Sequence, residues 1–323
     1  MAIKRFGLGV LAGILACVVA VPIAQQRRAR RIRPVISLLT IVFRLIPGFG
    51  TLAMRPANRL LYEFVNRRGV AETVSVMNYG YAPAGATNSL TLPPGKEQER
   101  WGYQMYRVVA GAVDLAGKDV LEVGCGRGGG AAFVLTSMAP RSVTGVDFAD
   151  RAIAHCIANH HDARMRFIQG DAEQLPFPGS SFDAVINIES SHAYPDFDRF
   201  LSETHRVLRP SGYLLFADFR KADQLADLYR QLDSAGFIIV DEEQITENVV
   251  RSLEDNSRRM QEIVERHSPR LLRGPTREFM ALEGTMMNSG FRSGDLAYLR
   301  LVLQRAPSPS ARQSSGVSSA NFG

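Results

Sequence analysis

From about residue 100 onward, short apolar runs of strand length alternate with segments of helical periodicity. Such runs occur at Asp119–Val123, Ser142–Asp147, Met165–Gln169, Phe182–Glu189, Tyr213–Asp218, Phe237–Asp241 and Ala297–Gln304. Between two of them, Phe197–Leu208 carries apolar residues at helical spacing. Strands that alternate with helices of this length form βαβ units, whose strands lie parallel in one sheet. The alternation therefore predicts an α/β fold with a mostly parallel seven-stranded sheet and helices on both faces.

Two segments depart from this alternation. Between about residues 245 and 290 the chain is charged and helical in periodicity, which predicts a helical insertion before the last strand. Residues 306–323 are rich in Ser and Pro and lack periodicity, which predicts a disordered tail. The folded domain is therefore expected at residues 76–305.

The N-terminal region contains a long uncharged stretch, Phe6–Ala24, of 19 residues. As a helix it would be about 28 Å long, close to the roughly 30 Å thickness of a bilayer core. Five arginines follow it, between residues 27 and 33. By the positive-inside rule, residues 1–34 are predicted to be a single-pass membrane anchor, with the rest of the protein facing the cytoplasm. A cleaved signal peptide is the alternative, although Pro22 and the length of the apolar run argue against it.

A second apolar stretch, Val35–Met54, is interrupted by Arg44 and Pro47. It is interpreted as part of an amphipathic, basic connecting segment at residues 35–75 that lies on the membrane surface. An ordinary helix packed on the domain is an equal alternative.

The net charge of +6 is unevenly divided along the chain. Residues 1–70 contain twelve Lys and Arg and a single acid, whereas the remainder contains 26 basic and 31 acidic residues. Because the predicted domain is not basic, no nucleic-acid partner is expected. The three cysteines form no CxxC pair and the histidines show no ligand spacing, so no metal site is predicted.

The first strand runs into a glycine-rich turn that spans Gly124–Gly130. Glycines at a strand-to-helix turn let the backbone approach a ligand closely. The spacing Gly124-x-Gly126-x-x-Gly129 satisfies the dinucleotide fingerprint, and Asp147 at the next strand end suits a ribose diol. These features by themselves leave a nicotinamide enzyme open.

Glu122 and the third strand narrow the choice of cofactor. A carboxylate just before the first glycine is unfavourable beside a pyrophosphate but useful near a cationic ligand. The third strand leads into Gly170–Phe177, with the sequence Gly-Asp-Ala-Glu-Gln-Leu-Pro-Phe. Taken together, over about residues 100–305, these motifs resemble the series of the class I S-adenosylmethionine-dependent methyltransferases. The cofactor-binding residues that the resemblance implies are Tyr81, Glu122, Gly124, Gly126, Asp147, Phe148, Asp171 and Ala172.

The resemblance implies a different part of S-adenosylmethionine for each motif. Glu122 and the first glycines of the turn would surround the methionine part, and Asp147 would bind the ribose. Asp171 and Ala172 would contact the amino edge of the adenine. The fold that it implies is a Rossmann-like sheet, with no metal required.

Further motifs resemble the mycobacterial phthiotriol/phenolphthiotriol dimycocerosate methyltransferases, which O-methylate a long-chain lipid alcohol. More distantly the chain is similar to fatty-acid and sugar O-methyltransferases. The segments that carry this likeness are Leu121–Ala131, Asn187–Pro195, Arg206–Tyr213 and Ala217–Arg220. The resemblance implies a lipophilic small-molecule acceptor, methylated on a hydroxyl or carboxyl oxygen. Ala193 stands where the sugar enzymes carry a second histidine, which argues against a mechanism with two adjacent imidazoles.

His192 is the candidate catalytic base. It follows the fourth strand, at the carboxyl edge where ligands bind in open α/β sheets. An imidazole suits the removal of a hydroxyl proton, and Asp218 at the end of the fifth strand would orient it. The alternative is that His192 only caps a helix. Glu189 is a weaker candidate that would line the cofactor pocket.

Two apolar segments are candidates for covering the site. Met77–Tyr81 is interpreted either as a lid over cofactor and substrate or as a simple linker. In the insertion, Met280, Met286, Met287 and Phe291 would cover a lipid acceptor or belong to the core.

Two other classes of protein stay open at this point. A nicotinamide oxidoreductase would bind NAD(H) and make no use of Asp171. A membrane-tethered protein that binds S-adenosylmethionine without catalysis would show cofactor binding and no turnover.

Overall fold

The computed structural model describes residues 74–85, 90–92, 94–270 and 272–306. The predicted anchor at residues 1–34, nearly all of the connecting segment and the tail beyond Ala306 lie outside the described residues. Within the described residues, no helix combines the length and the apolar character needed to cross a membrane.

Seven strands form one sheet, as the alternation predicts. They are β1 (Asp119–Val123), β2 (Ser142–Asp147), β3 (Met165–Gln169), β4 (Phe182–Ile188), β5 (Leu208–Lys221), β6 (Phe237–Gln244) and β7 (Leu296–Arg305). Their order across the sheet is β3-β2-β1-β4-β5-β7-β6. Neighbours from β3 to β5 pair parallel, and β7 is antiparallel to both β5 and β6. The expected mostly parallel sheet is confirmed.

Eight helices accompany the sheet in the part of the chain that is described. They are α1 (Arg100–Ala110), α2 (Gly129–Met138), α3 (Asp150–Asn159), α4 (Phe197–Val207), α5 (Leu225–Ser234), α6 (Thr246–His267), α7 (Arg273–Phe279) and α8 (Met286–Ser293). The last three lie between β6 and β7. Asp196 caps the start of α4 by accepting a hydrogen bond from the backbone N–H of Arg199.

Both faces of the central strands are buried, whereas the edge strand β6 is largely exposed. Along β5, Leu214 and Phe216 belong to one apolar core, whereas Leu215 and Ala217 belong to the other. Side chains of a strand alternate between faces, so a strand that is buried on both sides reads as a continuous apolar run. This burial explains the apolar runs of the central strands, but not that of β6, where Ile238, Ile239 and Val240 are exposed.

The strand order places a crossover beside β1. The chain leaves β3 at one edge of the sheet and re-enters at β4, on the other side of β1. Loops after β1 and β4 therefore run to opposite sides, which opens a crevice at their carboxyl ends. The site is built at this edge.

Candidate active site

The glycine turn after β1 is shaped by close contacts. Gly124 has φ +79°, and a Cβ at this position would lie 2.5 Å from Oγ of Ser190. A left-handed backbone under such a contact excludes any side chain. The turn is also tied to β2, because the N–H groups of Gly124 and Cys125 both donate to the carbonyl oxygen of Val146.

Glu122 is buried beneath this turn. Its side chain is 2% exposed, and its Oε1 accepts a hydrogen bond from the Tyr106 hydroxyl at 2.6 Å. Its Oε2 has no hydrogen-bond partner in the part of the chain that is described, although the nearby backbone N–H of Ala131 favours the ionised carboxylate. Burial raises the pKa of Glu122 from 4.5 to about 8. A buried carboxyl group with an unused oxygen fits a cationic ligand, such as the ammonium group of a methionine moiety.

Tyr106 reaches Glu122 because Gly130 has no side chain. A Cβ at Gly130 would lie 1.9 Å from Cζ of Tyr106. Gly130, the residue after the third glycine of the fingerprint, therefore allows α2 to pack against α1, from which Tyr106 reaches Glu122. Sequence reasoning missed Tyr106, which shows only the apolar periodicity of a core helix.

Asp147 holds the turn from the end of β2. Its Oδ2 accepts a hydrogen bond from the N–H of Gly126 at 2.8 Å, and its Oδ1 accepts from Ala149 at 2.9 Å. A carboxylate oxygen can accept more than one hydrogen bond, and ribose hydroxyls are donors of the kind it accepts. Asp147 therefore fits a ribose while also fixing the glycine turn.

Phe148 and Asp171 lie at the carboxyl ends of β2 and β3. The Phe148 side chain is 46% exposed, unusual for a ring of its size, and Asp171 is exposed as well. Asp171 accepts a hydrogen bond from the N–H of Glu173 at 2.9 Å, which orders a short turn that includes Ala172. An exposed ring beside a carboxylate suits the stacking and amino recognition of an adenine.

His192 and Asp218 form a hydrogen-bonded pair, as their positions at neighbouring strand ends suggest. Nδ1 of His192 lies 2.8 Å from Oδ1 of Asp218, and the backbone N–H of His192 donates to Oδ2 at 2.9 Å. The His192 side chain is 27% exposed, whereas Asp218 is fully buried. Among the described residues no hydrogen bond reaches Nε2 of His192, and the side chain is partly exposed, so that nitrogen is available to accept a proton.

Asp218 is ionised despite its burial. Desolvation by burial opposes ionisation, but the charges of His192 and Arg220 and hydrogen bonds from His192 and Ser191 outweigh it. The pKa of Asp218 therefore lies well below its ordinary value. An ionised partner stabilises the imidazolium that forms when His192 accepts a proton.

Glu189, directly after β4, joins three parts of the chain. Its Oε1 accepts hydrogen bonds from the N–H of Tyr79 at 2.7 Å and from the hydroxyl of Tyr298 at 2.8 Å. Its backbone has φ +47°, which is uncommon for a residue with a side chain. Burial raises the pKa of Glu189 to about 8. Sequence reasoning missed Tyr298, since β7 reads as a plain buried strand.

The segment Met77–Tyr81 reaches the site through Tyr79. The Tyr79 ring lies 6.0 Å from Phe219 and 5.8 Å from Phe291 between centroids. Tyr81 lies near Glu243 and Arg251, whose charges affect its hydroxyl. Tyr81 packs on the same apolar core as Tyr79, and Gly80, with φ +82°, turns the chain between them. The contact of Tyr81 with the cofactor stays a prediction.

An aromatic cluster lies beside His192. The ring of His192 packs on Phe219, with centroids 4.4 Å apart, and Phe219 contacts Phe291 and Tyr298. Phe291 and Met287 from the helical insertion belong to this cluster, whereas Met286 is exposed. The wall beside the base is therefore apolar. No group of three or more potential metal ligands occurs in the residues that the structure describes.

Comparisons with known proteins agree with this geometry. The protein-family description "Methyltransferase domain" matches residues 121–216. A fatty-acid O-methyltransferase of Mycolicibacterium smegmatis is 41% identical over 220 residues, covering 67% of this chain and 79% of that protein. A phthiotriol/phenolphthiotriol dimycocerosates methyltransferase of Mycobacterium tuberculosis is 37% identical over 240 residues, covering 74% and 88%. The chain belongs to the class I S-adenosylmethionine-dependent methyltransferases.

Solved structures show the same fold at lower identity. The [4+2]-cyclase SpnF superposes with a TM-score of 0.58 at 22% identity, covering 77% of this chain and 94% of that one. A geranyl diphosphate methyltransferase in complex with S-adenosylmethionine gives 0.53 at 15% identity, covering 72% and 100%. Family membership decides between the cofactors that the glycine turn leaves open: the methyltransferase uses S-adenosylmethionine.

Asp147 offers a direct test of the cofactor site. Replacing Asp147 with Ala should weaken S-adenosylmethionine binding by about 1.5–3 kcal/mol, the usual range for hydrogen bonds to a charged group. Isothermal titration calorimetry with S-adenosylhomocysteine measures the change. Binding of NAD(H) without binding of either methionine cofactor would contradict the assignment.

Proposed function

We propose that this methyltransferase transfers a methyl group to a hydroxyl oxygen of a lipophilic small molecule. Two relatives with 37–41% identity are named as methyltransferases of fatty acids and of phthiotriol and phenolphthiotriol dimycocerosates. The bound cofactor supplies an electrophilic methyl group on a sulfonium. The chain's own residues must then bind the acceptor, exclude water and remove a proton.

The observation that carries the proposal is the 2.8 Å pairing of His192 Nδ1 with Asp218. It fixes the proton on Nδ1, so that Nε2 is the basic nitrogen. A hydroxyl oxygen is a weak nucleophile until its proton is removed during attack. His192 accepts that proton through Nε2, and buried Asp218 stabilises the resulting imidazolium.

The apolar wall supports a lipophilic acceptor. Phe219, Phe291 and Tyr79 contact one another at 5.6–6.0 Å between centroids beside His192. Apolar walls favour an alkyl chain and exclude water that would compete for hydrogen bonds with the acceptor. The His–Asp pair then provides the polar end of the site.

A carboxyl oxygen is the second candidate acceptor, because the relative at 41% identity is named a fatty-acid O-methyltransferase. A carboxylate is already ionised at neutral pH and needs no base. An incubation of the full-length protein with radiolabelled S-adenosylmethionine and a lipid extract distinguishes the hydroxyl from the carboxyl acceptor. The labelled product is then identified. A labelled methyl ether supports the hydroxyl acceptor, and a labelled methyl ester supports the carboxyl acceptor. Label only in water-soluble products would contradict both.

Membrane attachment through residues 1–34 is a further part of the proposal. The uncharged run Phe6–Ala24 and the arginines that follow it support an anchor with the enzyme on the cytoplasmic side. Deleting residues 1–34 should release much of the protein from the membrane fraction and leave cofactor binding unchanged. Fractionation with immunoblotting measures the release. Full-length protein found in the soluble fraction, or cleaved and secreted, would rule out the anchor.

A further inference from the structure

Arg220 lies on β5, two residues beyond Asp218, and touches several members of the site. Its Nη2 donates to Oγ of Ser191 at 2.7 Å, and its Nη1 donates to the carbonyl oxygen of Phe219 at 2.7 Å. Its Nη1 also lies 3.4 Å from Oδ2 of Asp218. With its side chain 14% exposed, Arg220 is largely enclosed.

The guanidinium group is also held from one face. Its Cζ lies 4.8 Å from the ring centroid of Phe197 and 5.8 Å from that of Phe216. Stacking on aromatic rings and a fork of donors fix a guanidinium in a way that an ammonium group does not reproduce. The orientation of Arg220 is therefore defined by its surroundings.

Ser191 connects Arg220 to Asp218 through two hydrogen bonds. Because a guanidinium only donates, the Ser191 hydroxyl must accept from Arg220. Its own proton is then committed to Oδ2 of Asp218, at 2.6 Å. Oδ2 of Asp218 is thus held by Ser191 and by the backbone N–H of His192, while Oδ1 is turned to the imidazole.

Charge gives Arg220 a second role. The ion pairs of Asp218 within the described residues are with His192 and Arg220. When His192 is neutral, as a base must be, Arg220 is the remaining positive partner of this fully buried carboxylate. Glu189 lies near the pair at the end of β4, and the hydroxyls of Tyr79, Tyr194 and Tyr298 are nearby uncharged titratable groups.

We propose that Arg220, acting through Ser191, is a positioning residue that keeps Asp218 ionised and His192 in its proton-accepting form. The proposal rests on the proposed base function of His192. Without Arg220, the His192–Asp218 pair would face one positive charge fewer and would hold its proton to higher pH. The base would then be less available near neutrality.

The pH dependence of methyl transfer tests the role of Arg220. In full-length Arg220→Gln, the acidic limb of the rate profile should move up by about one pH unit, which lowers the rate on that limb about tenfold. Arg220→Lys keeps the charge and should move the limb less. Ser191→Ala should lower the rate with a smaller shift. The dissociation constant for S-adenosylhomocysteine should stay unchanged in all three, since Arg220 does not contact the glycine turn.

Arg209 provides a matched control at the other end of β5. It forms ion pairs with Asp119 at 2.9 Å and Asp183 at 2.7 Å, far from the carboxyl edge. Arg209→Gln should leave the limb in place. An Arg220→Gln enzyme that loses activity with an unshifted limb, or that shifts no more than Arg209→Gln, would overturn the proposal.

A second measurement tests the role of Arg220 independently of whether His192 is the catalytic base. NMR titration of the His192 imidazole in the free protein follows the pair without any acceptor. An upward shift of its midpoint in Arg220→Gln supports the positioning role even if His192→Ala proves active and the base function fails. An unchanged midpoint in Arg220→Gln overturns the positioning role even if His192 is the base.

Discussion

Replacing His192 with Ala is expected to lower the rate of methyl transfer to a hydroxyl acceptor by about 10²–10⁴-fold, the usual contribution of a positioned general base. Nε2 of His192 is available to accept a proton, and the variant leaves the acceptor proton with no strong acceptor there. Single-turnover measurements with radiolabelled S-adenosylmethionine give the rate of the chemical step. Cofactor affinity should barely change, because His192 lies apart from Glu122, Asp147 and the turn.

A substitution at Asp218 provides a control with a smaller expected effect on the rate. Asp218→Asn should reduce the rate less than His192→Ala, because the imidazole remains but loses its ionised partner. The rate of the native enzyme should fall toward acidic pH as the imidazole takes up a proton, and His192→Ala should lose this dependence. A fully active His192→Ala enzyme would instead favour a carboxylate acceptor that needs no base.

The pairing of His192 with Asp218 could be predicted from the sequence because of the topology of the sheet. Each residue follows or ends a buried apolar run, and the fourth and fifth strands of such an alternation usually lie side by side. Parallel neighbours bring their carboxyl ends to the same edge. The glycine turn, Glu122 and Asp147 were recognisable because their spacing along the chain reflects one local βαβ unit.

Contacts between residues on elements far apart in the chain could not be predicted from the sequence. Tyr298 reaches Glu189 across 109 positions because β7 enters the sheet antiparallel between β5 and β6. Tyr106 reaches Glu122 only because Gly130 leaves space between two helices. The local motif predicts a role for Tyr81 but gives no sign that its neighbour Tyr79 donates its backbone N–H to Glu189. Local sequence patterns do not predict contacts of this kind, because they depend on how distant elements pack.

The raised pKa of Glu122 predicts that cofactor binding depends on pH, separately from the pH dependence of catalysis. In the free protein its pKa lies at about 8, so the carboxyl group is mostly protonated at neutral pH. A bound ammonium group favours the ionised form, so S-adenosylmethionine binding should release a proton. The affinity should then rise about tenfold per pH unit between pH ~6 and ~7.5, where the cofactor's own amino group is still charged.

Stability of the free enzyme should change in the opposite direction. Because the folded-state pKa of Glu122 is above its ordinary value of 4.5, the folded state holds a proton that the unfolded chain has lost. This contribution to the free energy of unfolding therefore falls as pH rises from about 4.5 to about 8. Thermal unfolding of Glu122→Gln, which carries no charge, should lack this part of the pH dependence.

Calorimetry in buffers of different ionisation enthalpy measures the released proton directly. Close to one proton should leave per cofactor bound near pH 7 in the native enzyme, and close to none in Glu122→Gln, whose affinity should also be nearly independent of pH. Glu247→Gln is the matched control, because Glu247 is an exposed carboxylate at the start of α6, away from the glycine turn. Native-like proton release in Glu122→Gln would show that another group titrates on binding. No release from the native enzyme would mean that Glu122 is already ionised beneath the turn, in spite of its burial and its unused oxygen.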